Sequence, residues 1–183
     1  MVNPTLKKQT VQEEKISYSV IIPAYNEESF LPGTLAGLKS AMATVQLPGE
    51  IIVVDNDSTD NTAEIARKSG AKVFFEPFRQ IAKARNSGAR NAKGTLLVFL
   101  DADTFIPPSL LQQALSLLED GMTCGGGTLL KFDSELPFLA DKLVKFWNWI
   151  SKTNKLAAGS FIFCLAQAFS ETGGFDEKTF AGE

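Results

Sequence analysis

Three features are scarce in this sequence of 183 residues, and each scarcity excludes a class of protein. Cysteine is the first: Cys124 and Cys164 lie far apart and match neither a metal-binding nor a disulfide pattern, so we predict two reduced thiols in the core. Positive charge is the second. The 18 Lys and Arg against 21 Asp and Glu give a net charge of -3, which argues against a broad nucleic-acid surface. Long apolar runs are the third, since the longest uncharged one, 156–169, has a length more typical of buried core than of a membrane span.

A secretory signal is missing as well, because residues 7–15 carry several charges and no apolar segment accompanies them. We interpret residues 1–17 as a polar tail and 18–183 as one domain, which is long enough to bury a sizeable core. Apolar and charged fractions of 44% and 21% are typical of a soluble globular protein. The predicted location is therefore reducing and cytoplasmic.

Short β-rich runs alternate with helix-like stretches from residue 18 onward. The β-rich runs are 18–22, 50–54, 71–75 and 95–100, and the helix-like stretches are 28–43, 59–68 and 80–92. This alternation predicts βαβ units and a mainly parallel sheet. Three of the four strands are almost entirely apolar, which predicts an α/β fold with helices on both faces of the sheet.

The order of elements changes after residue 103. Pro107 and Pro108 can open a helix that ends at Leu118, and glycines 125–127 interrupt a probable strand. Residues 136–152 have the pattern of an amphipathic helix and 160–165 that of a strand. We therefore predict a smaller, mixed α+β second half.

Polar residues follow three of the predicted strands, at 23–27, 55–60 and 101–104. Parallel sheets bind their ligands beyond the carboxyl ends of the strands, so we predict the functional site at this edge. If the chain stays extended after Leu100, Asp101 and Asp103 project to the same side, and two carboxylates there suit Mg2+ or Mn2+. Solvated loop acids, or Asp103 as a local turn or helix-start acceptor, are the alternatives.

The segment 55–60 allows two interpretations. Ser58, Thr59 and Asp60 can cap the following helix through their side-chain oxygens. Asp55 ends the strand before the turn, where its carboxylate can accept a hydrogen bond from the imide of uracil or the N–H groups of guanine.

The helix at 80–92 has two distinct faces. Lys83, Asn86, Arg90 and Lys93 share one face, which we interpret as solvated. Arg85 lies instead on the small-residue face that should contact the sheet, where an arginine needs an anionic partner. A diphosphate or the Asp101–Asp103 pair can supply that partner, and the alternative is a side chain that extends to water.

Five motifs occur in order along the chain: SVIIPAYNE at 19–27, VDNDSTD at 54–60, ARNSG at 84–88, FLDAD at 99–103 and GGFDE at 173–177. Together they resemble the family 2 glycosyltransferases of the GT-A, Rossmann-like fold, from about Tyr18 to the last residue. Two related activities fit less well. A sugar-phosphate nucleotidyltransferase and a dinucleotide-dependent dehydrogenase both need glycines directly after the first strand, and 23–27 contains none.

The resemblance implies a nucleotide-diphosphate-sugar donor, with a UDP-sugar as the first candidate, and Mn2+ or Mg2+ bridging its phosphates. It implies that Arg85 faces the donor phosphates, that Asp101 lies near the ribose or metal, and that Asp103 binds the metal directly. The residues that it places on the nucleotide are Pro23, Ala24, Tyr25, Glu27, Asp55, Asn56, Arg85 and Asp101. The implied reaction is an inverting transfer to a hydroxyl of a saccharide, a lipid carrier or a protein.

The sequence departs from the family pattern at two places. Asn56 and Asp57 replace the middle residues of the common Asp-Asp-Gly-Ser turn, which leaves the base preference open. The family's general base is usually the Asp of a Glu-Asp pair after the glycine turn, and the sequence ends at Glu183, adjacent to the expected base. We therefore expect the domain to end before its acceptor-side part. The alternative is a nucleotide-sugar-binding or interaction module without turnover.

The predicted helix at 136–152 also allows two interpretations. Core packing is favoured, because its charges do not form a strongly basic face. The alternative is a peripheral contact with a partner or with the inner face of the membrane.

Overall fold

A computed structural model describes residues 17–121, 123–128 and 160–178. Its elements are β1 (Tyr18–Ala24), α1 (Leu31–Met42), β2 (Gly49–Asp55), α2 (Thr62–Lys68), β3 (Lys72–Phe75), α3 (Ile81–Asn91), β4 (Leu96–Leu100), α4 (Pro108–Glu119), β5 (Gly125–Gly127), β6 (Phe161–Leu165) and α5 (Ala166–Glu171). The four predicted strands and the three helices between them are all present, with bounds that differ by a few residues at most.

The strands form one sheet in the order β3-β2-β1-β4-β6-β5. β1 pairs in parallel with β2 and β4, and β2 pairs in parallel with β3, which confirms the predicted parallel core. β6 runs antiparallel to β4, and β5 runs antiparallel to β6. The mixed second half predicted from the sequence is thus added to one edge of the parallel sheet.

Alternate residues of the strands enter two separate cores, one on each face of the sheet. One core joins Val20, Ile22 and Leu100 to apolar residues of α1, α2 and α4. The other joins Ile21 and Phe99 to residues of α3 and α5. Burial on both faces explains why these strands are apolar at consecutive positions.

Three predictions differ from the structure. Glycines 125–127 form β5 rather than interrupting a strand, because they pair with β6 along the sheet edge. α5 was not predicted, since its six residues are too few for a clear periodicity. Cys124 is exposed, so the prediction of two core thiols is wrong for it, whereas burial raises the pKa of the half-buried Cys164 to about 11.

Two predicted segments lie outside the described residues, the tail at 1–16 and the helix at 136–152. Within the described residues, no helix is both long and apolar enough to cross a membrane.

Gly88 allows α3 to approach the sheet closely. A Cβ at this position would overlap Cγ2 of Ile21 and lie 3.1 Å from Cγ2 of Val54.

We expect Gly88→Ala to lower the free energy of unfolding by about 1–3 kcal/mol through overpacking, measured by chemical denaturation. Gly37→Ala in α1 is the matched control. Its Cβ would lie 3.3 Å from the exposed ring of Phe105, which can move, so we expect a gain of about 0.5 kcal/mol from the lost glycine flexibility. Equal losses in the two variants would contradict the close-approach argument.

Candidate functional site

Three neighbouring parallel strands, β2, β1 and β4, end at the same edge of the sheet with Asp55, Ala24 and Leu100. Asp101 follows directly after β4. Asp55 and Asp101 therefore lie at one edge, and α3, which carries Arg85, packs against the face of β1 and β2. The residues expected to act together are on one side of the molecule rather than on opposite surfaces.

Arg85 and Asp101 form an ion pair at this edge. Nη2 of Arg85 donates to Oδ1 of Asp101 at 2.7 Å, and the two side chains are 9% and 28% exposed. Burial raises the pKa of Asp101 and the Asp103 carboxylate adds to the increase, while Arg85 opposes both. The anionic partner that the sequence required for Arg85 is thus Asp101, the first Asp of the 101–103 motif.

The expectation of an extended chain after Leu100 is wrong, because the backbone turns. The amide of Thr104 donates to the carbonyl of Asp101 at 3.1 Å. The buried hydroxyl of Thr34 in α1 donates to the carbonyl of Ala102 at 2.7 Å and ties the turn to the helix. Asp101 consequently pairs with Arg85, whereas Asp103 is exposed.

Negative charge accumulates around the turn. Burial raises the pKa of Glu27, and the carboxylates of Asp103, Asp60 and Asp101 raise it further. The only cation that an ion pair brings to these acids, within the described residues, is Arg85. The described residues contain no group of three or more His, Cys, Asp or Glu side chains arranged to hold a metal. The arrangement is thus a pair of aspartates with Glu27 within electrostatic range.

The loops after β1 and β2 are held together by side-chain hydrogen bonds. The amide of Asn26 donates to Oγ of Ser58 at 3.1 Å, and the amide of Thr59 donates to Oδ1 of Asn26 at 2.8 Å. The amide of Glu27 donates to Oγ1 of Thr62 at 2.8 Å. The prediction that Ser58 and Thr59 cap the next helix is therefore wrong: α2 begins at Thr62, and their polar groups contact the neighbouring loop instead.

Asp60 does serve the start of α2, as predicted. Its Oδ1 accepts the amide hydrogen of Thr62 at 2.9 Å, and its Oδ2 accepts that of Glu28 at 3.1 Å. This carboxylate therefore satisfies donors on both loops.

Tyr25, Arg79 and Asp57 form a second cluster at the edge. The guanidinium carbon of Arg79 lies 4.8 Å from the centre of the Tyr25 ring, and its Nε donates to Oδ2 of Asp57 at 3.0 Å. Asp57 has a φ of 66°, in the left-handed region that favours glycine. It occupies the glycine position of the common family turn. Sequence reasoning missed Arg79 because nothing local links it to Asp57.

The remaining residues predicted to hold the nucleotide differ in how exposed their side chains are. Tyr25 is 41% exposed. Pro23 and Ala24 are buried within β1, so their side chains pack inside the protein rather than face solvent. Asp55 is nearly buried and accepts the amide hydrogen of Ser58 at 3.1 Å.

The amide of Asn56 is used by the protein itself. Its Nδ2 donates to the carbonyls of Glu76 and Phe78, and its Oδ1 accepts the amide hydrogen of Gln80. Asn56 therefore holds the loop between β3 and α3 beside the end of β2.

The prediction of a solvated face on α3 is wrong for Asn86. This side chain is buried and contacts the glycine turn near the end of the described chain, where it hydrogen-bonds Phe175 and Glu177. The sequence carried a signal for this contact in the ARNSG and GGFDE motifs, but no local pattern joins them. Glu183, the residue predicted beside the general base, lies outside the described residues.

The model of the family Glycosyl transferase family 2 matches residues 19–168. The 4,4'-diaponeurosporenoate glycosyltransferase of Staphylococcus haemolyticus is 43% identical over 103 residues, which cover 52% of this chain and 26% of that protein. The undecaprenyl-phosphate 4-deoxy-4-formamido-L-arabinose transferase of Pseudomonas fluorescens is 29% identical over 163 residues, which cover 84% of this chain and 47% of that protein. The chain thus spans less than half the length of either relative.

Solved structures show the same fold. The mannosyltransferase PcManGT of Pyrobaculum calidifontis, in complex with GDP-Man and Mn2+, superposes with a TM-score of 0.69 at 22% identity, covering 87% of this chain and 47% of that one. The glucosyl-3-phosphoglycerate synthase of Mycobacterium tuberculosis, in complex with Mn2+ and UDP, gives a TM-score of 0.63 at 20% identity, covering 84% and 58%. The architecture is the GT-A fold. The family model matches most of this chain, and the GT-A architecture surrounds the site. The chain therefore belongs to glycosyl transferase family 2.

Proposed function

We propose that this chain carries the donor side of an inverting, metal-dependent glycosyltransferase that takes a nucleotide-diphosphate-sugar, with a UDP-sugar as the first candidate. One observation carries the proposal. The ion pair between the buried Arg85 and the partly exposed Asp101 lies beside the exposed Asp103 at the carboxyl edge of a parallel sheet. This is the edge at which such sheets bind their ligands, and it combines one cation with two carboxylates.

Arg85 is suited to the diphosphate. Its planar guanidinium can donate to phosphate oxygens while it keeps one donor on Asp101, since an arginine offers five N–H groups. The side chain is already buried and held before any ligand binds. As the leaving diphosphate gains charge, a fixed cation of this kind lowers the barrier electrostatically.

Asp103 and Asp101 fit a divalent cation. Mg2+ and Mn2+ prefer carboxylate oxygens, and in sites that handle phosphates they bind through one or two carboxylates plus the substrate. Burial raises the pKa of both Glu27 and Asp101, and the Asp103 carboxylate adds to the increase in each case, so this place already holds several carboxylates. Asp103 is the exposed member and would be the direct ligand, with Asp101 near the ribose or the metal. When bound, the ion would supply Lewis-acid stabilisation of the diphosphate.

The nucleoside would lie over the ends of β1 and β2. Tyr25 offers a half-exposed ring for the base, and Asp55 offers a carboxylate for the imide N–H of uracil. Glu27, which is within electrostatic range of Asp101 and Asp103, would lie on the phosphate side of this surface. Asn56 supports the loop that carries Arg79.

The reaction would be a direct displacement at the anomeric carbon. A bond forms between the acceptor oxygen and that carbon while the bond to the diphosphate oxygen breaks, and a carboxylate takes the proton of the acceptor hydroxyl. The family resemblance assigns this proton transfer to the Asp that usually follows the Glu at the position of Glu183. Arg85 would remain hydrogen-bonded to the leaving diphosphate.

The acceptor class is the second part of the proposal. The match with the undecaprenyl-phosphate transferase extends over most of this chain, which favours a lipid carrier over a saccharide or a protein. A lipid acceptor would bring the site to the cytoplasmic face of a membrane, and residues 136–152 are the candidate contact.

Calorimetric titration with UDP, GDP and ADP, each with and without Mn2+, tests the donor proposal. We expect UDP to bind, with an affinity that Mn2+ raises by at least about tenfold, because the cation joins the carboxylates to the diphosphate. ADP should bind more weakly, since adenine lacks the imide N–H that Asp55 would bind. If no nucleotide binds in the presence of Mn2+, the proposal is wrong. If an extended chain binds UDP but never transfers sugar, the non-catalytic binding module is the better description.

A further inference from the structure

Asn86 joins α3 to the turn at 173–177 by three hydrogen bonds. Its Nδ2 donates to the carbonyl of Phe175 at 2.9 Å and to Oε1 of Glu177 at 2.8 Å. Its Oδ1 accepts the amide hydrogen of Phe175 at 2.9 Å. One buried side chain thus binds both backbone groups of Phe175 and fixes the position of that residue.

The turn is shaped for this contact. Gly173 and Gly174 have φ values of 82° and 78°, which side-chain-bearing residues rarely adopt. A Cβ at Gly174 would lie 2.7 Å from Oδ1 of Asn86, so a side chain at this position would require Asn86 to shift. Gln80, at the start of α3, also donates to the carbonyl of Glu177 at 2.8 Å.

The ring of Phe175 connects this clamp to the donor site. It packs edge-on against Phe99 with ring centres 5.0 Å apart, and its centre lies 5.5 Å from that of Phe169. The guanidinium carbon of Arg85 lies 5.2 Å from the centre of the Phe175 ring. This is within the range of a cation–π contact. The guanidinium of Arg85 therefore contacts both the ring of Phe175 and the carboxylate of Asp101.

Asn86 and Arg85 are adjacent on α3 and point about 100° apart around the helix. They reach the same residue by different routes, Asn86 through the backbone of Phe175 and Arg85 through its ring. Loss of the Asn86 contacts would leave the ion pair of Arg85 in place and would loosen the backbone that positions the Phe175 ring against its guanidinium.

We propose that Asn86 is a positioning residue for Arg85. It holds Phe175 so that the ring orients the Arg85 guanidinium toward Asp101 and the donor diphosphate. The inference rests on the proposed function, because it assigns Arg85 to the diphosphate.

The test compares UDP with uridine, which lacks the diphosphate, by calorimetry and NMR titration in the presence of Mn2+. Asn86→Ala should weaken UDP binding by about tenfold and leave uridine binding within about twofold of the parent. Asn91→Ala is the matched control. Asn91 is an exposed asparagine on the same helix whose Nδ2 donates to the carbonyl of Ser87, and its loss should change neither affinity. Phe175→Leu keeps an apolar side chain but removes the ring, and it should reproduce the selective loss of UDP affinity.

A double-mutant cycle separates positioning from general damage to the fold. In an Arg85→Ala background, Asn86→Ala should have no further effect on UDP affinity, because the residue that it positions is gone. Equal losses in both backgrounds, or a parallel loss of uridine binding, would overturn the inference while leaving the proposed function in place. Failure of the parent chain to bind UDP with Mn2+ would overturn both.

Discussion

Replacing Asp103 by Asn is expected to remove the effect of Mn2+ on nucleotide binding. Asp101 is engaged by Arg85, whereas Asp103 is exposed and is the carboxylate most available to a cation at this edge. Asparagine keeps the shape but loses the charge that a hard cation requires. We expect UDP affinity in Mn2+ to fall by about 2–3 kcal/mol, which is about 100-fold in the dissociation constant. Without metal the same substitution should leave affinity unchanged or improve it slightly, because one charge that repels the diphosphate is removed.

Asp120→Asn is the matched control for this change. Asp120 is an exposed aspartate at the end of α4, a helix of 12 residues that begins after the turn at 101–104. The Asp120→Asn protein should therefore bind UDP and Mn2+ like the parent. An Asp103→Asn protein that still gains affinity from Mn2+ as the parent does would show that the metal is held elsewhere.

A second measurement on Asp103→Asn requires no ligand. Burial is the largest cause of the raised pKa of Glu27, and the carboxylates of Asp103, Asp60 and Asp101 raise it further. We expect the pKa of Glu27 to fall toward its ordinary range in the variant, as followed by NMR titration of the side-chain carboxyl carbon. An unchanged pKa would mean that the two acids are too well screened to share a cation.

The sequence predicted which polar residues gather at the carboxyl ends of the strands, because the signal is local in each strand. An apolar run that ends abruptly in Asp55 or Asp101 shows where a buried strand meets solvent, and parallel pairing brings such ends together. The need of Arg85 for an anionic partner was visible for a similar reason, since an unpaired buried cation is costly. Helical spacing placed it on the sheet-facing side of α3.

The contacts that were missed join residues remote in the chain. Asn86 has the spacing of a solvated helix position, and only the turn that lies 89 residues later buries it. Asp57 accepts a left-handed backbone while its carboxylate pairs with Arg79, 22 residues away. The turn after Leu100 likewise depends on Thr34, 68 residues from the carbonyl that it binds. Periodicity describes one element at a time, so partners of this kind appear only in three dimensions.

A buried carboxylate with a structural role, that of Glu50, lies at the amino ends of the parallel strands, opposite the candidate site. Glu50, with a side chain only 5% exposed, accepts hydrogen bonds from the hydroxyl of Ser19 at 2.7 Å and the amide of Lys93 at 2.6 Å. Its other oxygen accepts from Nζ of Lys72 at 2.5 Å. The hydroxyl of Ser19 in turn accepts the amide hydrogen of Gly94 at 2.9 Å. This network joins β1, β2, β3 and the start of β4 at their amino ends.

Glu50→Ala is expected to lower the free energy of unfolding by about 3–5 kcal/mol, because it leaves the donors of Ser19 and Lys93 without an acceptor in a buried site. The control is Lys72→Ala. The Lys72 side chain is 46% exposed, and its loss leaves Glu50 with its other two donors, so we expect a cost of about 1 kcal/mol. Urea denaturation at neutral pH measures both. Similar losses in the two variants would mean that the exposed ion pair, rather than the buried acceptor, stabilises this edge.

The same carboxylate should make stability depend on pH in a definite direction. Burial acts to raise the pKa of Glu50, but the hydrogen bonds from Lys72, Ser19 and Lys93 outweigh it and hold the pKa below its ordinary range. The contribution is therefore complete above the unfolded-state pKa of about 4.3 and is lost as pH falls through the lower pKa of the folded state. Glu50→Gln, which does not titrate, should be less stable than the parent at pH 7, with the difference shrinking between about pH 5 and pH 3. A difference that stays constant over that interval would mean that the folded protein does not favour the ionised form of Glu50.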